Sequence, residues 1–189
     1  MYFSSTARTS GNFDTNELMN SGRMDIAIHV IINTFFLSHN LRDDVKLHLV
    51  FYGMPDPPKH IEMQVKPETN LSKKDVANLI KKILYKYKEG RKTEALPGCF
   101  VEKKSFLNLI EELKREGNEI FILDKKGENI RKVNIPENGV FVIGDHNGLP
   151  KKELRRLKSM AKFISAGPKV YFASHIVTIV NNELDLRGF

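Results

Sequence analysis

Apolar positions in this chain follow two periods, one of two residues in short runs and one of 3.6 in longer stretches. Lys46 to Tyr52 (KLHLVFY) alternates and reads as a strand. The turn Gly53-Met54-Pro55-Asp56-Pro57-Pro58 ends it, and His60 to Val65 reads as a second strand. Glu119 to Leu123 (EIFIL), Val140 to Ile143 and Ala161 to Ser165 are further runs of strand length. From Met24 to Leu37 the apolar residues cover nearly the whole circumference of a helix, which predicts burial on every side or a place in a subunit interface. Ser72, with Asp75 three residues on, resembles a capping box. It opens a helix with Val76, Leu79, Ile80, Ile83, Leu84 and Tyr87 on one face, closed by Gly90. Ser105 caps a shorter helix carrying Phe106, Leu109, Ile110 and Leu113. Pro150 suits a helix start, and in that helix Leu154, Leu157 and Ala161 point one way, Lys151, Arg155 and Lys158 another.

The remainder is polar or ambiguous. Residues 1 to 22 are rich in Ser, Thr, Asn and Gly, with only Tyr2-Phe3 hinting at an edge strand, so stable structure is expected to begin near Gly22. Arg91 to Cys99 reads as a loop and Asp124 to Asn134 as a charged excursion. In His175 to Asp185, the run Ile176-Val177-Thr178-Ile179-Val180 has strand propensity, whereas Asn181-Asn182-Glu183 allow a helix. Strands alternating with helices predict an α/β fold with a mainly parallel sheet. A chain of 189 residues predicts a single domain, with 1–21 as a loosely attached N-terminal segment.

The longest apolar stretch is interrupted by Asp25, His29 and Asn33, so no bilayer span is expected, and the first residues lack the apolar core of a signal peptide. One cysteine, Cys99, excludes an internal disulfide, fits a reducing cytosol and is too little for a thiolate zinc site. A cytoplasmic protein is the expectation. The net charge of +7 makes a nucleic-acid partner worth proposing.

The candidate chemistry lies in three loops. Gly144-Asp145-His146-Asn147-Gly148 follows one strand, Ala166-Gly167-Pro168 follows another, and a third loop leaves Leu123; in a parallel sheet all three open on one edge. Bare backbone and apolar walls suit a flat heteroaromatic ligand such as adenine. Polyphosphate does not fit, because neither glycine-rich phosphate motif occurs. His146 and His175 read as hydrogen-bonding or packing residues, without the Glu-x-x-His spacing of a metal site. Asp145 reads either as a general base or as a side chain closing its own turn. Lys151, Lys152, Arg155 and Arg156, with Lys158 and Lys162, form a basic cluster beside the central loop; Arg23, Arg42 and Lys46 extend a track suited to phosphates.

Several stretches, in this order, carry a resemblance. They are Gly22-Arg23-Met24-Asp25, Phe35-Phe36-Leu37-Ser38-His39 with Arg42, and Tyr52-Gly53 with Pro55, Pro57 and Pro58. Pro97-Gly98, Ile143-Gly144-Asp145-His146 with Gly148, and Ile164-Ser165 with Pro168 follow, then Ala173, His175, Thr178-Ile179-Val180 and Leu184-Asp185. Together they resemble the SPOUT (α/β-knot) methyltransferases, and within them the archaeal TrmY family, which methylates N1 of pseudouridine 54 in the tRNA T-arm. The resemblance runs from about residue 22 to the C-terminus. It implies a SPOUT fold with a C-terminal trefoil knot, S-adenosylmethionine (SAM) as cofactor, tRNA as partner, a homodimer, and no metal or membrane. It implies cofactor contacts at Leu123, Ile143, Gly144, Gly148, Ser165, Ala166, Gly167 and Tyr171. The phosphates would be held by Arg23, Arg42, Lys151, Lys152, Arg155 and Arg156, with Asp145 as the proton acceptor. It also turns His175 to Asp185 into a helix packing across the dimer. The chain departs from the family at Ile176, where many relatives carry cysteine, and around Ser72 to Asp75, which lacks an expected Asp-Glu-Arg run. Two other readings stay open: a ribosomal RNA pseudouridine N1-methyltransferase, and a non-catalytic knotted RNA-binding or ribosome-assembly factor.

Overall fold

The computed structural model describes residues 1–65 and 71–189. Its strands are β1 (Tyr2–Ser4), β2 (Lys46–Phe51), β3 (Lys59–Gln64), β4 (Thr93–Leu96), β5 (Cys99–Glu102), β6 (Glu119–Asn129), β7 (Gly139–Gly144) and β8 (Ala161–Ser165). Its helices are α1 (Met24–Phe35), α2 (Val76–Tyr85), α3 (Phe106–Arg115), α4 (Lys151–Leu157) and α5 (Ala173–Arg187). The strands form one mixed sheet in the order β4-β5-β3-β2-β1-β7-β6-β8. From β2 to β8 all pairings are parallel; β3, β5 and β4 extend the sheet antiparallel.

The period-two pattern decides which helix covers which face. Tyr2, Leu49 and Phe51 join a core with α1, α2 and the start of α5, whereas Phe3 and Val50 pack with Phe106, Leu109, Ile110 and Leu113 of α3 and Leu157 of α4. Phe121, Ile130, Val133, Ile135, Ile164 and Val180 close a third cluster under α5. The helix face expected for α3 is buried in full, and Ser105 Oγ accepts from Asn108 N–H at 3.2 Å. Ser72 caps a short 3-10 turn, Lys73–Asp75, that leads into α2.

Four expectations change. Tyr2-Phe3 is not an edge strand: β1 sits inside the sheet between β2 and β7, with Tyr2, Phe3 and Ser4 buried. Nor is 1–21 loosely attached, since Ala7, Thr9 and Phe13 are buried and Thr9 Oγ1 donates to Gly53 O at 2.8 Å. Three residues are too few to show a period, so the pattern could hint at a strand but not place it inside the sheet. The loop 91–99 is largely the β4–β5 hairpin, turning at Pro97-Gly98. Ala161 begins β8 rather than continuing α4. After β8, α5 packs back over the sheet as a helix, as the resemblance implied.

Glu153 on α4 packs against Tyr52, and its Oε2 is buried with no hydrogen-bond partner among the described residues. Burial raises its pKa, opposed by a hydrogen bond from Tyr52. A carboxyl whose pKa is higher folded than unfolded stabilises the fold below the unfolded pKa, and that contribution is lost as pH rises through the folded one. Glu153→Gln is therefore expected to raise the melting temperature at pH 8, by well under about 1 kcal/mol in free energy after solvent screening. The gain should vanish below about pH 4. Equal melting shifts at both pH values would contradict this.

Candidate cofactor and RNA site

β6, β7 and β8 run parallel, so the segments after Leu123, Gly144 and Ser165 leave the sheet at the same edge. β1 adds a fourth element there. Ser4 Oγ, Ser5 Oγ and Ser5 N–H donate to Asp145 Oδ2 at 3.1, 2.9 and 2.7 Å, and Asn147 N–H donates to Oδ1 at 2.8 Å. Asn147 Nδ2 also donates to Ser5 Oγ at 3.0 Å. Asp145 thus ties the central loop to the end of β1, and both of its oxygens accept hydrogen bonds. Oδ2 is filled by three donors, whereas Oδ1 keeps a second lone pair that could accept a proton. Ser4 and Ser5 belong to the site although the sequence pattern did not single them out; their only signal was the hydroxyl run after Tyr2-Phe3.

The loop closes on itself, Gly148 N–H donating to Asp145 O at 2.9 Å. Gly148 has φ 77°, and a Cβ placed there would meet nothing within 4 Å. It therefore borders open space while holding a conformation that side chains rarely adopt. Ser165 Oγ donates to Gly167 O at 2.9 Å and accepts from Gly167 N–H at 3.2 Å, turning the chain at the end of β8. No backbone–backbone hydrogen bond holds Pro168–Tyr171 among the described residues, which leaves amides and carbonyls for a ligand edge. The third segment bends back: after Leu123 the excursion returns so that Glu128 and Asn129 pair with Ile164 and Ser165. Gly127 lies so close that a Cβ there would stand 2.5 Å from Ile164 N, so only glycine allows this crossing. Leu123, Ile143, Gly144, Gly148, Ser165, Ala166, Gly167 and Tyr171 accordingly lie along one edge, with Ile143 and Ser165 buried and the glycines bordering the loops.

Below this edge Tyr2 is buried, its hydroxyl unpartnered among the described residues; burial and then the Asp145 charge push its pKa up. Arg23 caps α1 in the left-handed region, φ 61°, and makes a two-pronged ion pair with Asp25, 3.0 Å on each arm. That hydrogen-bonded guanidinium holds Asp25 below the usual carboxylate range. Lys151, Lys152, Arg155 and Arg156 are exposed on α4, next in sequence to the central loop. Arg42 is elsewhere. It precedes β2, at the opposite edge of the parallel strands, and its guanidinium is engaged by Asp185 of α5. Within one chain the structure does not bring Arg42 to the other basic residues.

The arrangement offers a backbone-lined edge for a flat polar ring, next to a basic helix suited to phosphate. The model of a SAM-dependent RNA methyltransferase family, Methyltrn_RNA_2, matches residues 1–189. A tRNA (pseudouridine(54)-N(1))-methyltransferase of Methanococcoides burtonii is 37% identical over 184 residues, 95% of this chain and 91% of the relative. That of Methanocaldococcus jannaschii is 37% identical over 190 residues, 95% of this chain and 92% of the relative. Among solved structures, Archaeoglobus fulgidus Nep1 bound to S-adenosylhomocysteine superposes with a TM-score of 0.56 at 18% identity, over 89% of this chain and 73% of that one, a likeness of fold. No helix among the described residues is long and apolar enough to cross a membrane.

Proposed function

This chain belongs to the SAM-dependent RNA methyltransferase family, and from that membership we infer that it methylates N1 of pseudouridine 54 in the T-arm of tRNA. The observation that carries this is a full-length match at 37% identity to enzymes of that name. SAM supplies an electrophilic methyl group, which the ring nitrogen of the RNA attacks in line, with no metal and no covalent enzyme intermediate needed.

The chain's own residues supply binding and placement. The loops at Leu123, Ile143–Gly148 and Ser165–Tyr171 hold the cofactor by backbone groups, and the open space beside Gly148 fits a ligand pressed against bare main chain. Asp145 fixes the middle loop, so that the reacting atoms meet in one geometry, the largest lever available when the nucleophile is a weakly acidic N–H. Arg23 and the α4 residues Lys151, Lys152, Arg155 and Arg156 position T-arm phosphates without reading sequence.

The fold reading is a single SPOUT domain, 1–189, with a trefoil knot. It rests on the returning excursion 124–129, which pairs with the end of β8. The assembly is a cytoplasmic homodimer through α1 and α5; α5 leaves Phe172 just before its start and Leu186 near its end exposed, 76% and 74%. In such a dimer Arg42 would act from the edge of the neighbouring site. The ribosomal reading shares the chemistry and differs only in the RNA. Offered a pseudouridine T-arm hairpin and a pseudouridine ribosomal hairpin in equal amounts, the chain is expected to methylate the first at least tenfold faster. The reverse preference would move the substrate to ribosomal RNA.

A further inference from the structure

On the α3 face of the sheet, away from the loop edge, three antiparallel strands bring together groups far apart in sequence. His48 on β2 stands opposite Glu62 on β3, and His60 on β3 stands opposite Glu102 on β5. Alternation puts all four side chains on one face. His48 and His60 are 5% and 1% exposed, and one ligand-type atom from each of His48, His60 and Glu62 lies within 4.8 Å of the others.

His60 Nδ1–H donates to Glu102 Oε1 at 3.0 Å, and Lys104 Nζ lies 2.8 Å from the same oxygen, keeping that carboxylate in place. His60 Nε2 lies 2.9 Å from His48 Nδ1, the two nitrogens sharing one proton. A carboxylate behind one imidazole is the usual support of a metal-binding histidine, orienting the ring and raising its basicity. Glu62 gives one oxygen to Lys92 at 2.8 Å and keeps the other. His48 also lines a cleft of about 670 Å³ bordered by the start of β2, Met1, Leu113 and Gly139.

We propose that His48, His60 and Glu62 form a binding site for one divalent transition-metal ion of the zinc class, with Glu102 as the group that orients His60. Two imidazoles and a carboxylate are a donor set suited to such an ion, with the fourth position left to water from the cleft. Binding replaces the shared His48–His60 hydrogen bond: the proton between the rings passes to the far nitrogen of His48 or to solvent, and the two freed lone pairs take the metal. The ion would bridge β2 and β3 and is independent of methyl transfer. The sequence showed no such site because its ligands are 12 and 14 residues from His48, a spacing set by strand pairing rather than by a helix or a short loop.

The test is calorimetric titration of the chelator-treated full chain with Zn²⁺, with Co²⁺ absorption as a check on coordination. One saturable equivalent of micromolar affinity or better is expected, together with a rise in melting temperature. His60→Ala should remove it, Glu62→Gln should weaken it at least tenfold, and Glu102→Gln should weaken it by about 10–100-fold. His39→Ala, at an exposed histidine outside the cluster, should leave zinc affinity unchanged. If His60→Ala does not fold, Glu62→Gln decides, because it leaves the histidine pair intact. No saturable binding, or full affinity in Glu62→Gln, would overturn the site and leave a hydrogen-bonded histidine pair only.

Discussion

Asp145→Ala is expected to lower the melting temperature by about 6–12 °C and to reduce methyl transfer at least 100-fold. Its carboxylate accepts from two backbone amides, Ser5 and Asn147, and from the hydroxyls of Ser4 and Ser5, while only 8% exposed. The hydroxyls can turn to other acceptors, but the amides cannot, and each amide left without a partner costs about 1–3 kcal/mol. A loss of about 3 kcal/mol moves the melting point of a chain this size by about 2–4 °C per kcal/mol. The catalytic loss follows from freeing Gly144–Gly148 from β1, since a displacement of about 1 Å at a reacting pair costs on the order of 100-fold. The defect should appear in SAM affinity as well as turnover. If Asp145 acted only as the proton acceptor, the variant would keep its SAM affinity and melting point and lose turnover alone. Calorimetry with SAM beside thermal unfolding separates the two.

Gly148→Leu should abolish SAM binding, a loss of at least about 100-fold, while the chain stays folded. The left-handed backbone at φ 77° costs a side chain about 1–2 kcal/mol. A Cβ there meets no atom within 4 Å, so the side chain starts into open space. They instead fill the volume assigned to the cofactor. Circular dichroism should match the parent, with a melting point lower by a few degrees. Undiminished SAM affinity would remove Gly148 from the pocket.

Much of this arrangement was legible before any coordinates. Ser105, with Phe106, Leu109, Ile110 and Leu113, marked α3 because a cap and a 3.6 period agree, and the ends of Val140–Ile143 and Ala161–Ser165 marked two of the three loops. What escaped was whatever depends on partners distant in the chain. Tyr2–Ser4 is too short for a period, and its burial comes from β2 and β7 on either side. Ser4 and Ser5 enter the site through Asp145 and Asn147, some 140 residues on. The β4–β5 hairpin was hidden by Thr93 and Glu94, polar residues that a short outer strand tolerates. Arg42 looked like a phosphate ligand by charge alone; its pairing with Asp185 across the α1–α5 side is a tertiary fact. In α5 the β-branched run Ile176–Val180 pointed to a strand, and packing of Val177 and Val180 against the sheet overrode that propensity.

The central claim is most directly tested by methyl transfer from labelled SAM to two T-arm hairpins that differ at one base, pseudouridine or uridine at the target position, followed by nucleoside analysis. The account predicts label only in the pseudouridine hairpin, recovered as N1-methylpseudouridine. Equal labelling of the uridine hairpin, or SAM binding with transfer to neither, would contradict it.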